Sequence, residues 1–429
     1  MADSSIPTGM TLRAYNVGFG DCFLLSFHYE QERDRIILID FGNKHAPKDY
    51  KKSLMVDIAN DIKAVCEADS DGRLDAVVAT HRHQDHISGF TTNKNQNGSG
   101  DIIASCKPRV VIQPWTEHPK ATAKDETAPG LNFKGKAFAQ ALDHMHVFAE
   151  SALAEATRRK GFRMMGATEI VTVADNNTKN PSAVDNLFNM TKSHFYVYYG
   201  SKSGLEKALP GVEVRVLGPP TIKQSEGKIK AERDEDPDEF WALQSGAGNL
   251  SAAQKSPFRR ARKYKDIPPH ARWFVNHLRA IRSEELLGLV HVMDSYMNNT
   301  SIILHFTIGK TKLLFPGDAQ IENWSYALAQ EEAPELLKDV TLYKVGHHGS
   351  TNATPRKGLW NKFKNKGPSK KLMTVISTMP GVYPTKATTK EGTEVPRKKL
   401  VTELKANSEF HSTNDLKSPA LCEKIEITF

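Results

Sequence analysis

No stretch of the chain approaches the ~18 uninterrupted apolar residues that a membrane-spanning helix needs. The opening MADSSIPTGM has neither a basic nor an apolar signal region. A membrane channel and a secreted protein are therefore not expected. Cysteine is scarce: Cys22, Cys66, Cys106 and Cys422, none in a C-x-x-C pair. That excludes a zinc ribbon and a thioredoxin-like dithiol. Scattered thiols without a leader fit a reducing compartment, so the expected location is the cytoplasm. Aromatic residues make up only 8% of the chain, and no stacking platform stands out. A Gly-rich phosphate loop and a dinucleotide fingerprint are missing too. So is a G-x-S-x-G elbow, because GHHGS has no serine between its glycines.

What is present is enough apolar material, 39% of 429 residues, for a sizeable core. The net charge of +8 is unevenly spread. Residues 351–406 carry thirteen basic side chains against three acidic ones, so the rest of the chain is close to neutral. A local positive field has a polyanion as its natural partner. Lys357, Lys362 and Lys364 are the candidate substrate-binding residues in it. The plainer alternative is a lysine-rich solvated surface.

Along the first ninety residues the pattern predicts strands over 10–17, 22–29 and 35–40, a helix over 50–68 and a buried strand over 74–79. Residues 134–160 and 277–289 carry helical character, and 173–189 is Asn-rich and irregular. Strands are predicted again over 211–217, 300–308, 312–315, 340–345, 372–377 and 424–429, with a helix over 322–331. Gly309-Lys310 would close a hairpin between two of these strands. No internal repeat is visible. Two β-rich halves with polar residues at their strand ends are nonetheless able to face each other, which suggests an α/β architecture with its site at those ends.

The strongest chemical signal is His81-Arg82-His83-Gln84-Asp85-His86, directly after a predicted strand. His81 and His83 alternate on an extended loop, and Asp85 and His86 turn toward a neighbouring point. Three imidazoles and a carboxylate in six residues suit adjacent divalent ions with nitrogen and oxygen ligands. Other candidates end distant strands: Asp318 in FPGD, where it could bridge two ions, His347 and His348 in GHHGS, and Asp40 after RIILI. Asp40 suits a role in orienting a ligand histidine. Taken singly, each has a dull explanation as a turn or surface residue.

Asp40, HRHQDH, FPGD and GHHGS, taken in order, resemble the metallo-β-lactamase fold. The segments NVGFGDCFLL (16–25), NNTSIIL (298–304) and YKVGHHGS (343–350) narrow the resemblance to the hydrolase domain of ComEC-type DNA-uptake proteins and similar soluble proteins. The resemblance covers roughly 10–90, 211–220 and 296–429. It implies a four-layer αββα sandwich with two partly helical inserted segments. Residues 1–90 would form the first half, 91–205 a partly helical insertion, 206–221 a core strand, 222–295 a second insertion and 296–429 the second half.

The resemblance also implies a dinuclear centre. His81 and His83 would hold one ion, Asp85, His86 and a GHHGS histidine the other, with Asp318 bridging. His347 is the favoured ligand, leaving His348 as a second ligand or a catalytic proton donor beside Asp85 and Asp40. Zinc is the expected metal, with manganese the alternative. Two positions depart from the family. Met297-Asn298-Asn299 stands where many members have a ligand histidine, and Thr393-Glu394-Val395-Pro396 where a His-Pro is common.

Two divalent ions about 3.5–4 Å apart bind a hydroxide between them and stabilise an oxyanion, which is hydrolytic chemistry. The leading expectation is a metal-dependent phosphodiesterase or nuclease with nucleic acid, above all DNA, as substrate. One alternative is a small-molecule phosphoester, thioester or lactam hydrolase. Another is a catalytically weak metal-binding module that meets a protein partner through its insertions.

Overall fold

The computed structural model describes residues 6–118, 180–221, 224, 297–369, 371–382 and 394–429. Thirteen strands form two mixed sheets, and seven helices flank them among the described residues. The first sheet begins with β1 (Gly9–Tyr15), β2 (Cys22–His28) and β3 (Arg35–Phe41), which pair antiparallel. It continues with β4 (Ala76–Val78), β5 (Val111–Pro114) and β6 (His194–Val197), each parallel to its neighbour. The second sheet holds β7 (Glu213–Gly218), β8 (Ile303–Ile308), β9 (Thr311–Phe315), β10 (Leu342–Lys344), β11 (Met373–Ile376) and β12 (Glu409–Ser412). Its pairings run in the same sequence, two antiparallel and then three parallel. The last strand, β13 (Cys422–Thr428), pairs antiparallel with β1. The chain thus repeats one topology twice without repeating its sequence.

Period-two side-chain alternation builds the shared core. Met10, Leu12 and Ala14 of β1, with Phe23, Leu25 and Phe27 of β2, meet Leu304 and Phe306 of β8 and Leu313 and Phe315 of β9. Each of these is essentially fully buried. Truncating a phenylalanine such as Phe306 in such a core costs on the order of 3–5 kcal/mol. The outer face of the first sheet carries α1 (Leu54–Asp69), whose Leu54, Ile58, Ala59, Ile62 and Cys66 fall on one side at helical spacing. Also in this half are α2 (Gln84–Ile87), α3 (Ser99–Ser105) and α4 (Pro181–Asn189). Trp324 of α5 (Ile321–Leu328) and Leu337 of α6 (Ala333–Lys338) pack on the outer face of the second sheet, and so does Leu404 of α7 (Lys398–Asn407).

Residues 91–118 and 180–205 contribute more to the core than an insertion would. They supply β5 and β6 to the first sheet, with α3 and α4 beside them. These strands have four residues each, β5 ends in a proline and β6 alternates with His and Tyr, so hydrophobic run length does not reveal them. The stretch 173–189, expected to be irregular, contains α4 in its described part. Pro181 sets the first turn there, and Ala183 and Leu187 bury one side. The expected helices over 134–160 and 277–289 lie outside the described residues, as does the 222–295 insertion apart from Gln224. The hairpin at Gly309-Lys310 is present, with Ile308 opposite Thr311. No described helix is long and apolar enough to cross a membrane. Cys22, Cys66 and Cys106 are buried and Cys422 partly so, all as free thiols.

Candidate metal centre

Parallel strands place their C-terminal ends on one edge of a sheet, and the loops leaving those ends can converge. Here β3 carries Asp40 as its last residue but one, β4 leads into His81–His86, β9 into Asp318 and β10 into His347 and His348. The start of β2 lies opposite the end of β3, because the two run antiparallel, and this brings Asp21 to the same place. Gly317 turns the chain at a positive φ of 55° just before Asp318. A Cβ there would stand 2.9 Å from the Thr80 side chain, so the close approach of the two strand ends requires glycine.

Ligand atoms of Asp85, His86, Asp318 and His348 all lie within 4.8 Å of one another, and all four residues are buried. His86 Nδ1–H donates to Asp40 Oδ2 (2.8 Å), which turns Nε2 inward to stand 3.0 Å from Asp318 Oδ2. His348 Nδ1–H donates to the Ser377 carbonyl (3.1 Å), so its Nε2 also points inward. That nitrogen is 3.1 Å from Asp85 Oδ2 and 3.4 Å from Asp318 Oδ2. Ligands held about 2.0–2.2 Å from a tetrahedral ion stand roughly 3.3–3.6 Å apart, which these separations approach. Asp85 Oδ1 is buried and makes no hydrogen bond, and the partner of His86 Nε2 is the Asp318 carboxylate. Inward-facing imidazole nitrogens on preset tautomers beside carboxylates suit a metal ion, and these four residues could hold one.

His81 and His83 adjoin this cluster. His81 Nε2 and His83 Nδ1 are 3.0 Å apart, and the His81 ring centroid lies 4.2 Å from that of His86. Asp40 also accepts from the Thr80 backbone N–H and hydroxyl, both at 2.7 Å, so one carboxylate fixes the loop and the His86 ring together.

The structure distinguishes the two GHHGS histidines, and it is not the favoured His347 that joins the cluster. His348 belongs to the four-residue cluster and His347 does not. Both residues have positive φ, 45° and 49°, and the ring of His348 is fully buried while that of His347 is only partly buried. His347 instead has Asn298 Nδ2 3.4 Å from its Nε2 and Gln320 Nε2 3.3 Å from its Nδ1. Its backbone N–H donates to Asp318 Oδ1 (3.1 Å). Which of two neighbouring histidines faces inward is a matter of backbone dihedrals, and spacing alone does not contain it.

Two participants escape the motif reading. Lys344, the last residue of β10, is buried on the same face as Leu342. Its ammonium pairs with Asp21, donates to the Gly317 carbonyl (3.0 Å) and lies 3.4 Å from Asp318 Oδ1. A lysine inside an otherwise apolar strand and an aspartate after Gly18-Phe19-Gly20 were the available signals.

The electrostatics follow from this packing. Burial drives His81 well below its usual pKa, and the neighbouring His86 and His83 add to that. For His86 burial works in the same direction, but Asp318 and Asp40 outweigh it and raise the group well above its usual value. Burial would raise Asp318, yet His86, His348 and Lys344 hold it well below the ordinary carboxylate range. Asp85 is lowered likewise, its burial overcome by His348 and His86. Asp21, Asp40, Asp85 and Asp318 are thus four buried carboxylates in one cluster, facing Lys344 and two imidazoles, His86 and His348, whose pKa values they raise.

The candidate substrate lysines are dispersed. Lys357, Lys362 and Lys364 are exposed, but the backbone N–H of Lys364 donates to the Lys338 carbonyl at the end of α6 (2.7 Å). Asn365 Nδ2 donates to the Val340 carbonyl just before β10 (3.0 Å). Lys364 therefore sits by the entry to β10, at the opposite end of that strand from His347 and His348. Lys357 follows the GHHGS turn more closely.

Comparison with known protein families finds none that matches this chain, and comparison with curated proteins finds no matching sequence.

Proposed function

We propose that the protein is a metal-dependent hydrolase of metallo-β-lactamase architecture, acting on phosphodiesters and above all on nucleic acid. The observation that carries this reading is the convergence of Asp85 and His86, Asp318, and His348 from three separate segments onto one buried point, with Asp85 Oδ1 making no hydrogen bond. The twice-used sheet topology and the helices on both outer faces support the αββα arrangement. The proximity of His81 and His83 supports a second ion, for which zinc or manganese suits the mixed nitrogen and oxygen donors.

Divalent ions bound there would supply Lewis acidity toward a phosphoryl oxygen and lower the pKa of water. The chain's own groups have separable tasks. Asp40 and the Ser377 carbonyl fix the tautomers of His86 and His348. Asp318 faces both histidines through Oδ2, while Lys344 and the His347 N–H hold its Oδ1. His347, partly exposed and next in sequence to His348, would hold or deliver a proton at the leaving oxygen. The basic stretch that begins after GHHGS would attract a polyanion without reading its sequence.

The test is metal analysis coupled to a cleavage screen. Purified protein with zinc or manganese is offered single-stranded DNA, duplex DNA, RNA and a chromogenic phosphodiester, beside Asp318→Asn. Metal-dependent cleavage that is absent in the variant supports the proposal. No cleavage of any of the four substrates with metal bound would overturn it.

A further inference from the structure

Strand β6, the last of its sheet among the described residues, carries a row of rings that its four-residue length hides in the sequence. His194 and Tyr196 lie on one face of the strand, with centroids 6.1 Å apart and planes 16° from parallel. Phe188 of α4 extends the row, its ring stacked on His194 at 5.4 Å and 19°. At the other end His118 meets Tyr196 edge-on at 4.6 Å. The His194 ring is held by its Nε2–H, which donates to the Thr191 carbonyl (2.9 Å). Among the described residues only four large apolar side chains are markedly exposed; Phe188 of the row is one, at 49%, while Phe195 (37%) lies on the opposite face of β6.

The row has cations at one end and the metal centre at the other. Lys107, Arg109 and Lys192 are exposed around the start of β5 and β6, where Thr191 Oγ1 donates to the Arg109 carbonyl (3.2 Å). Arg109 also lies 3.6 Å from Asp75. At the far end Glu117, next to His118, forms a half-buried ion pair with Arg82, the residue between His81 and His83. A parallel-stacked, partly exposed ring series beside lysines is the footprint of a single strand. Unpaired bases offer π faces to such rings and their phosphates meet the cations, whereas a duplex keeps its bases inside.

We propose that the Phe188–His194–Tyr196 row is a stacking platform for single-stranded nucleic acid, leading the strand along β6 toward the metal centre. It rests on the phosphodiesterase reading for its purpose, but its binding can be measured separately. Fluorescence anisotropy with labelled oligothymidylate and with a blunt duplex of equal length, in chelator so that no cleavage intervenes, reads it directly. Phe188→Ala and Tyr196→Ala should each weaken oligothymidylate binding about tenfold, the usual loss for one stacked base, and leave duplex binding unchanged. Phe188→Trp should retain binding while Phe188→Leu loses it, which separates stacking from apolar packing. Lys192→Gln should lower the salt dependence of single-strand binding.

Unaltered oligothymidylate binding by both alanine variants would overturn the platform. So would equal loss on duplex, or no single-strand binding by the parent. Loss of single-strand binding in these variants from a protein that cleaves nothing would leave the platform standing and remove only the hydrolase reading. Cleavage by a protein whose platform variants bind normally would do the reverse.

Discussion

The ammonium of Lys344 and the carboxylate of Asp21 form an ion pair with both side chains essentially withdrawn from solvent. Lys344 also borders Asp318, and the Phe23 ring centroid lies 5.9 Å from its Nζ. Burial alone would lower the lysine's pKa, but Asp21 and Asp318 raise it above its usual value, so the charge persists. The pair ties the start of β2 in the first sheet to the end of β10 in the second, across the candidate metal centre.

Removing one partner strands the other. Lys344→Met is expected to destabilise the protein by about 3–5 kcal/mol, the usual cost of an uncompensated buried charge. Urea unfolding of the metal-free protein measures this, and a midpoint equal to the parent's would show that the carboxylate finds another partner.

The two GHHGS histidines should separate cleanly. His348→Ala removes an inward-facing nitrogen and should lower bound metal per chain in elemental analysis. His347→Ala should leave metal content unchanged and reduce turnover by about 10²–10⁴-fold if the ring handles a proton in the reaction. Equal metal loss in both variants would contradict the orientation described here.

Metal binding should be visible as stability. An ion that binds the folded form alone raises its stability by about 2.7 kcal/mol at a hundredfold excess over Kd. The melting temperature should therefore rise with added zinc or manganese and fall in chelator. In Asp318→Asn the rise should be much smaller, because the carboxylate facing both His86 and His348 is gone.

His305 of β8 gives a pH dependence away from the metal centre. Its Nε2–H donates to the Leu336 carbonyl (3.0 Å), and burial lowers its pKa to about 4. The folded protein therefore keeps the ring neutral, while the unfolded chain takes up a proton below about 6.5. This contribution is complete above pH 6.5 and is lost as pH falls toward 4, amounting to roughly 3 kcal/mol. His305→Gln should flatten the stability profile between pH 4 and 6.5, and an unchanged slope would refute the assignment.

Much of this molecule was legible because strong local signals coincide with simple geometry. The strands β2 and β3 are dense apolar runs, the α1 stripe has helical period, and Gly309-Lys310 sits where a two-residue turn belongs. HRHQDH and FPGD announced donor atoms through composition alone. By contrast β5, β6 and β12 are too short and too mixed to be marked by hydrophobicity, so the duplicated topology emerged only from their pairing. Asp21 and Lys344 lie within NVGFGDCFLL and YKVGHHGS but have no role legible there, because a charge next to apolar residues has no meaning until its partner is known.

The sequence by itself determined which donor types are available and that they end strands, since both are properties of neighbouring residues. Only tertiary structure decided that His348 rather than His347 turns inward, that Lys344 meets Asp21, that Lys364 lies at the far end of its strand, and that Phe188, His194 and Tyr196 align. The physical reason is that direction and distance between segments remote along the chain are set by sheet pairing and two left-handed backbone dihedrals, neither of which any local pattern encodes.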